Sequence, residues 1–163
     1  MHRRRLLSLL LALPLLWSAT LADPVPAAPR DTRSKIVFHV NTDDPDQQEV
    51  VLRNLDNHIA SVGAENLDIK VMLQGGGVTL LLLPQALQHT HRLRHANATP
   101  KICQRIDALR ALGVQFQVSG LTLEEHGIDA RHDLYRVQPA DIVPNALAYL
   151  TELQNRGYTY IKP

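Results

Sequence analysis

Two hydrophobic rhythms alternate along this chain. Lys35-Ile36-Val37-Phe38-His39-Val40 is β-branched and aromatic, is closed by Asn41-Thr42-Asp43-Asp44, and predicts a strand. The period then lengthens: Val51, Leu55, Ile59 and Val62 fall on one face of a helix. Its start is marked by Asp44 as cap, Pro45 at the first helical position and Gln47 able to reach back, and its end by Gly63. Asp68 to Leu73 predicts a second strand, running into Gln74-Gly75-Gly76-Gly77. Val78 to Leu83 fits a buried strand or a short buried helix; the glycine turn favours the helix, and Pro84 ends or kinks it. Gln85 to Ala98 is polar and histidine-rich and reads as a partial helix followed by a loop.

Thr99-Pro100 repeats the cap-then-proline device. Ile102, Ile106, Leu109 and Leu112 give the next helix its apolar stripe, and Gly113 stops it. Val114 to Val118 alternates apolar residues with glutamine, as a strand with one buried face does. Thr122-Leu123-Glu124-Glu125 has the form of a capping box for a short helix stopping at Gly127. Asp133 to Pro139 is irregular. Ala140 to Arg156 predicts one long helix, with Val143, Ala146, Leu147, Leu150 and Leu153 inward and Pro144 in its first turn; Tyr158 to Ile161 predicts a last strand. This alternation of strand and helix predicts an α/β domain with a mainly parallel sheet.

The N-terminus changes the compartment. Met1 to Arg5 is basic, Leu6 to Trp17 is apolar, and Thr20-Leu21-Ala22 places small residues where a signal peptidase reads them, so an export signal cleaved after Ala22 and a periplasmic destination are expected. The apolar run is shorter than the ~20 residues that span a bilayer, so no membrane attachment is expected after cleavage. Asp23 to Ser34, with three prolines, reads as a flexible linker, and the domain runs from Lys35 to Pro163. Cleavage removes Arg3, Arg4 and Arg5 but no acidic residue, turning a net charge of +1 into a slight excess of acid. That argues against a nucleic-acid binder, which needs a basic footprint.

The chemistry is sparse. Ligands of open parallel sheets bind beyond the carboxyl ends of the strands. Asn41, the triplet Gly75, Gly76 and Gly77, and Ser119 with Gly120 all follow strands, and they form one ligand-binding rim if those strands are neighbours. The triplet matches neither a dinucleotide fingerprint nor a phosphate loop, so no cofactor is expected. Nor does Ser119 sit in a hydrolase elbow, whose flanking glycine positions are filled here by Gln117 and Leu121. Its plainer roles are a helix cap or a satisfied strand-end hydroxyl. His89, His91 and His95 carry spacing that could support a metal, but no carboxylate or cysteine lies close in sequence, and no metal site is assigned. His39 faces away from Phe38 and reads as a core or subunit-contact residue. Cys103 is the sole cysteine, so no disulfide forms within the chain. It is a buried inert thiol, or, near an exposed helix N-terminus, a thiol able to carry persulfide.

Four segments taken together carry a family resemblance: Lys35 to Val40, the strand into Gln74-Gly75-Gly76-Gly77-Val78, Leu112 to Leu123, and the closing Gly157-Tyr158-Thr159-Tyr160-Ile161-Lys162-Pro163. In order and spacing the chain resembles the DsrE/DsrF-like family of sulfur-relay proteins, especially its exported branch. The resemblance implies a three-layer α/β/α sandwich, assembly into homo-oligomers such as trimers or hexamers, and a possible sulfur-relay protein as partner. Active members pass sulfur as a cysteine persulfide, and their reactive cysteine falls at Ser119 here. Serine supplies no polarizable thiolate, so sulfur transfer at that position is not expected. The reading is a binding protein of the strand rim rather than an enzyme, with a persulfide carrier using Cys103 as the alternative.

Overall fold

The computed structural model describes residues 32–163; the expected export signal and most of the linker lie outside the described residues. Five strands build one sheet: β1 (Ser34–Val40), β2 (Leu67–Leu73), β3 (Gln115–Ser119), β4 (Ile142–Val143) and β5 (Thr159–Ile161). All pairings are parallel, in the order β4-β3-β2-β1-β5. The registers set β1 against β2 from Ser34–Leu67 to Val40–Leu73, and β2 against β3 from Lys70–Gln115 to Leu73–Val118. The three strands expected to feed the rim are therefore neighbours.

Helices α1 (Pro45–Val62) and α2 (Pro100–Ala111) start as their sequences dictate. The Asp44 carboxylate accepts from the amides of Asp46 at 2.9 Å and Gln47 at 3.2 Å, and the Thr99 hydroxyl accepts from the Ile102 amide at 3.4 Å. Both helices pack on the sheet face made by alternate strand residues, including Ile36, Phe38, Val40, Val71, Leu73, Phe116 and Val118. Val62 and Leu112, expected inward, are exposed at the ends of their stripes.

The opposite face carries a smaller cluster of Val37, Met72, Val143 and Tyr158 against Ala146, Leu150 and Leu153 of α5 (Ala146–Asn155). Because β4 and β5 lie at opposite edges, α5 carries the chain from one side of the sheet to the other. This completes the three-layer arrangement. It also explains why this face holds polar residues among its apolar ones: His39, Lys70, Gln117 and Ser119 lie here, all buried.

Three expectations are corrected. The single long helix from Ala140 is instead a 3-10 turn (Pro139–Asp141), strand β4, and then α5. Pro144 has no amide to donate and forces Val143 into an extended conformation, so the β-branched pair Ile142-Val143 docks on β3. The helix restarts only after Asn145, whose side chain accepts from Leu147 at 2.9 Å and Ala148 at 3.1 Å. This rotates Leu147 outward, 61% exposed. The helix after β3, α3 (Gly120–His126), begins directly at Gly120, so Thr122 is not its cap. Lastly, the short buried helix favoured for Val78 to Leu83 is present but shifted: it is a 3-10 helix (Gly75–Leu80), and beyond it Leu82 forms an isolated antiparallel bridge with Leu134. That bridge follows the short helix α4 (Ala130–Asp133).

Candidate functional site

The rim forms, and it is divided. At its centre, two of the three glycines are consumed by chain packing. A Cβ on residue 77 would collide with the Val40 carbonyl, and one on residue 76 would stand 2.8 Å from the Asp43 amide. The absent side chains let the end of β1 lie against the turn leaving β2, fixed by the Gln74 amide donating to the Val40 carbonyl at 3.0 Å. Gly75 differs: its φ is +51°, nothing stands within 4 Å of its Cβ position, and its amide donates to the Thr122 hydroxyl at 2.9 Å. Beneath this junction, the fully buried Gln48 amide donates to the Thr42 carbonyl at 2.7 Å and the Thr79 hydroxyl at 2.9 Å. It accepts in turn from Asn97 at 2.9 Å.

On the β3 side, the turn between β4 and α5 closes over the predicted position. Ser119 is 2% exposed and makes no capping bond through its side chain. A Cβ on Gly120 would meet the carbonyls of Val143 and Pro144 at 3.4 and 3.5 Å, and the Leu121 amide donates to the Pro144 carbonyl at 3.3 Å.

On the β1 side the rim opens. A cleft of about 350 Å³ lies between the end of β1, the first turns of α1 and the segment following β5. Val40, Val50 and Val51 give it an aliphatic wall; His39, Asn41, Thr42 and Gln47 give it neutral hydrogen-bonding groups; Lys162 brings an ammonium. That volume lies within the range of small-molecule sites. Of the residues expected at the rim, Asn41 lines this cleft, whereas Gly75, Gly76, Gly77, Ser119 and Gly120 do not.

His39 anchors the cleft floor. Its Nδ1 lies 2.8 Å from the Tyr160 hydroxyl and its Nε2 lies 2.9 Å from Gln74 Oε1, so a line of polar groups runs from β5 through β1 to the end of β2. Burial holds its pKa below the ordinary 6.5; the Gln74 bond opposes this, and the Lys162 charge reinforces it. Sequence reasoning missed His39, Gln47, Val50 and Lys162 as a group. The one available signal was the period-two position of His39, a polar residue on a face otherwise set by Val37.

Cys103 sits 9% exposed on α2, its thiol donating to the Ala98 carbonyl at 3.5 Å. Burial, and then Asp107, push its pKa up, away from the thiolate that persulfide chemistry requires. The three clustered histidines diverge. His89 pairs with Asp133 at 3.0 Å, His95 stands 3.4 Å from Asp43, and the His91 carbonyl accepts from His126 at 2.7 Å. Among the described residues no three His, Cys, Asp or Glu side chains are grouped so as to hold a metal ion. Among them, too, no helix is long and apolar enough to cross a membrane.

Comparison with known proteins agrees with this architecture. The model of the DsrE/DsrF-like family matches residues 35–163, and the chain belongs to that family. Among solved structures, it is similar to MTH1491, a protein of unknown function from Methanobacterium thermoautotrophicum. The TM-score is 0.62 and the identity 24%, over 80% of this chain and 99% of that one, a likeness of fold. No curated protein matches the chain.

Proposed function

We propose that this chain is a periplasmic, oligomeric member of its family that binds a small ligand or a partner at the β1 end of the strand rim and transfers no sulfur through residue 119. The observation that carries the reading is the cleft: it is the open part of the rim, it joins an aliphatic wall to several hydrogen-bonding groups, and Asn41 lies in it. Burial of Ser119 supports the second half, because serine supplies no thiolate and a residue only 2% exposed offers little access to a donor protein. The export signal read at Met1 to Ala22 supports the location. Exposed Leu121 and Leu147, on either side of the turn that covers Ser119, supply apolar surface for contacts between copies, as in the trimers and hexamers the family resemblance implies. A sulfur-relay protein remains the natural candidate if the occupant of the rim is a macromolecule.

Amide-shift mapping of the chain from Asp23 onward, against a library of small carboxylates, amines, amides and alcohols, tests this reading. Shifts centred on Asn41, Thr42, Gln47 and Lys162 support it; hits centred on Ser119, or no hits near β1, overturn it. Light scattering on the same sample tests the assembly, and a monomer at all concentrations removes that part.

The persulfide carrier through Cys103 gains no support from the geometry, since the thiol is buried, hydrogen-bonded and raised in pKa.

A further inference from the structure

The cleft has an electrostatic sign. Lys162 is exposed, and among the described residues no carboxylate lies within ion-pair distance of its ammonium. Two nearby acidic side chains are committed elsewhere. Asp44 caps α1 through Oδ1, and Asp43 faces Arg94 at 3.6 Å and His95 at 3.4 Å. Neither lines the cleft. His39 is tied to Tyr160 and Gln74, and the Lys162 charge disfavours a second positive charge on it. The cleft thus presents the Lys162 ammonium beside neutral amide and hydroxyl groups, with Pro163 completing its lining. The Thr42 hydroxyl already accepts from the Asp44 amide at 3.2 Å, which leaves its own proton to donate into the opening. Opposite stand Val40, Val50 and Val51, with Val50 38% exposed although it faces a lined cavity.

We infer that the cleft takes a small amphiphilic anion, with a carboxylate or similar oxyanion head on Lys162, Asn41 and Thr42 and a short branched aliphatic body against Val40, Val50 and Val51. This rests on the reading of the β1 rim as the binding site and gives that site its ligand class. A charge-assisted bond from an ammonium is roughly twice as strong as a neutral one, so the head group dominates selectivity. The aliphatic body buries against a wall that is otherwise wet. An exposed ammonium also makes the affinity sensitive to salt.

The test is a titration of the chain from Asp23 onward with isovalerate, with isovaleramide as its uncharged isostere and isoamylamine as the cation, read by the amide shifts of Asn41, Thr42 and Gln47. Isovalerate is expected to bind best, Lys162→Met to weaken it about tenfold, in line with loss of a charge-assisted bond, and Lys162→Arg to restore it. Because Lys162 is exposed and lies outside β5, these variants are expected to leave the fold intact. If isovaleramide binds as well as isovalerate, or Lys162→Met changes nothing while the same amides shift, the anion assignment is wrong and the site survives. If none of the three probes moves these amides, the anion assignment falls; the wider library then decides the site, which falls too only if nothing in it binds there.

Discussion

The carbonyl of Val40 occupies the space that a side chain on Gly77 would need. Through this contact the end of β1 is locked to the turn leaving β2, so the position of Asn41 and Thr42 in the cleft depends on a glycine elsewhere in the sequence. Gly77→Ala must push two backbones apart and is expected to destabilise the protein by about 3 kcal/mol or more, at the upper end of overpacking effects. Gly75→Ala meets open space and is opposed only by its positive φ, at about 1 kcal/mol. Denaturant midpoints of the two variants check the order, and equal losses would contradict it.

Gln48 is a second such support. It bonds the Thr42 carbonyl, the Thr79 hydroxyl and Asn97 from a position that is 1% exposed. Gln48→Leu keeps the size but leaves the Thr42 carbonyl unpaired, while Thr79 and Asn97 keep each other and the carbonyls of Gly76 and Asp43, for a loss of about 1–3 kcal/mol, the cost of one buried group left unsatisfied. Urea unfolding measures it, and a neutral result would show that water replaces the amide.

The state of His39 links the cleft to pH. Its folded pKa lies below the 6.5 of an unperturbed imidazole, so the unfolded chain takes up its proton first as the pH falls. The stability contributed by neutral His39 is present in full above about pH 6.5 and is lost as the pH falls through the lowered folded value. Unfolding free energies measured across that window should decline for the wild type and decline less for His39→Gln. A steeper decline in the variant would contradict the assignment.

Much of the layered fold was legible in the sequence because strong local signals agreed. The β-branched run of Lys35 to Val40, the Asp44-Pro45 and Thr99-Pro100 starts and the alternation of Val114 to Val118 each specify an element without help from distant residues. β4 was hidden because two residues carry no period, and the helical stripe of α5 seemed to extend back through Pro144. The cleft was hidden for another reason. His39, Gln47 and Lys162 come together only when β5 takes its place beside β1, and nothing local in Tyr158 to Lys162 states which edge that strand joins. Ser119 was legible by position, yet its cover depends on β4.

That cover leads to a prediction about residue 119. Ser119→Cys is close in volume and should fold with a loss of less than about 1.5 kcal/mol. Beneath the turn of Val143 and Pro144, the new thiol should react with a bulky aromatic disulfide no faster than buried Cys103 does. Fast labelling of the variant, with no labelling of the wild type, would show that the turn opens.

The central claim is that this member of the DsrE/DsrF-like family is a binding protein that holds no sulfur-carrying thiol. The most direct measurement is the intact mass of the folded wild-type chain after exposure to a persulfide donor. No one-sulfur gain is expected on the native protein, since the sole cysteine, Cys103, is buried with a raised pKa. A one-sulfur gain on folded protein that disappears in Cys103→Ser would contradict the claim.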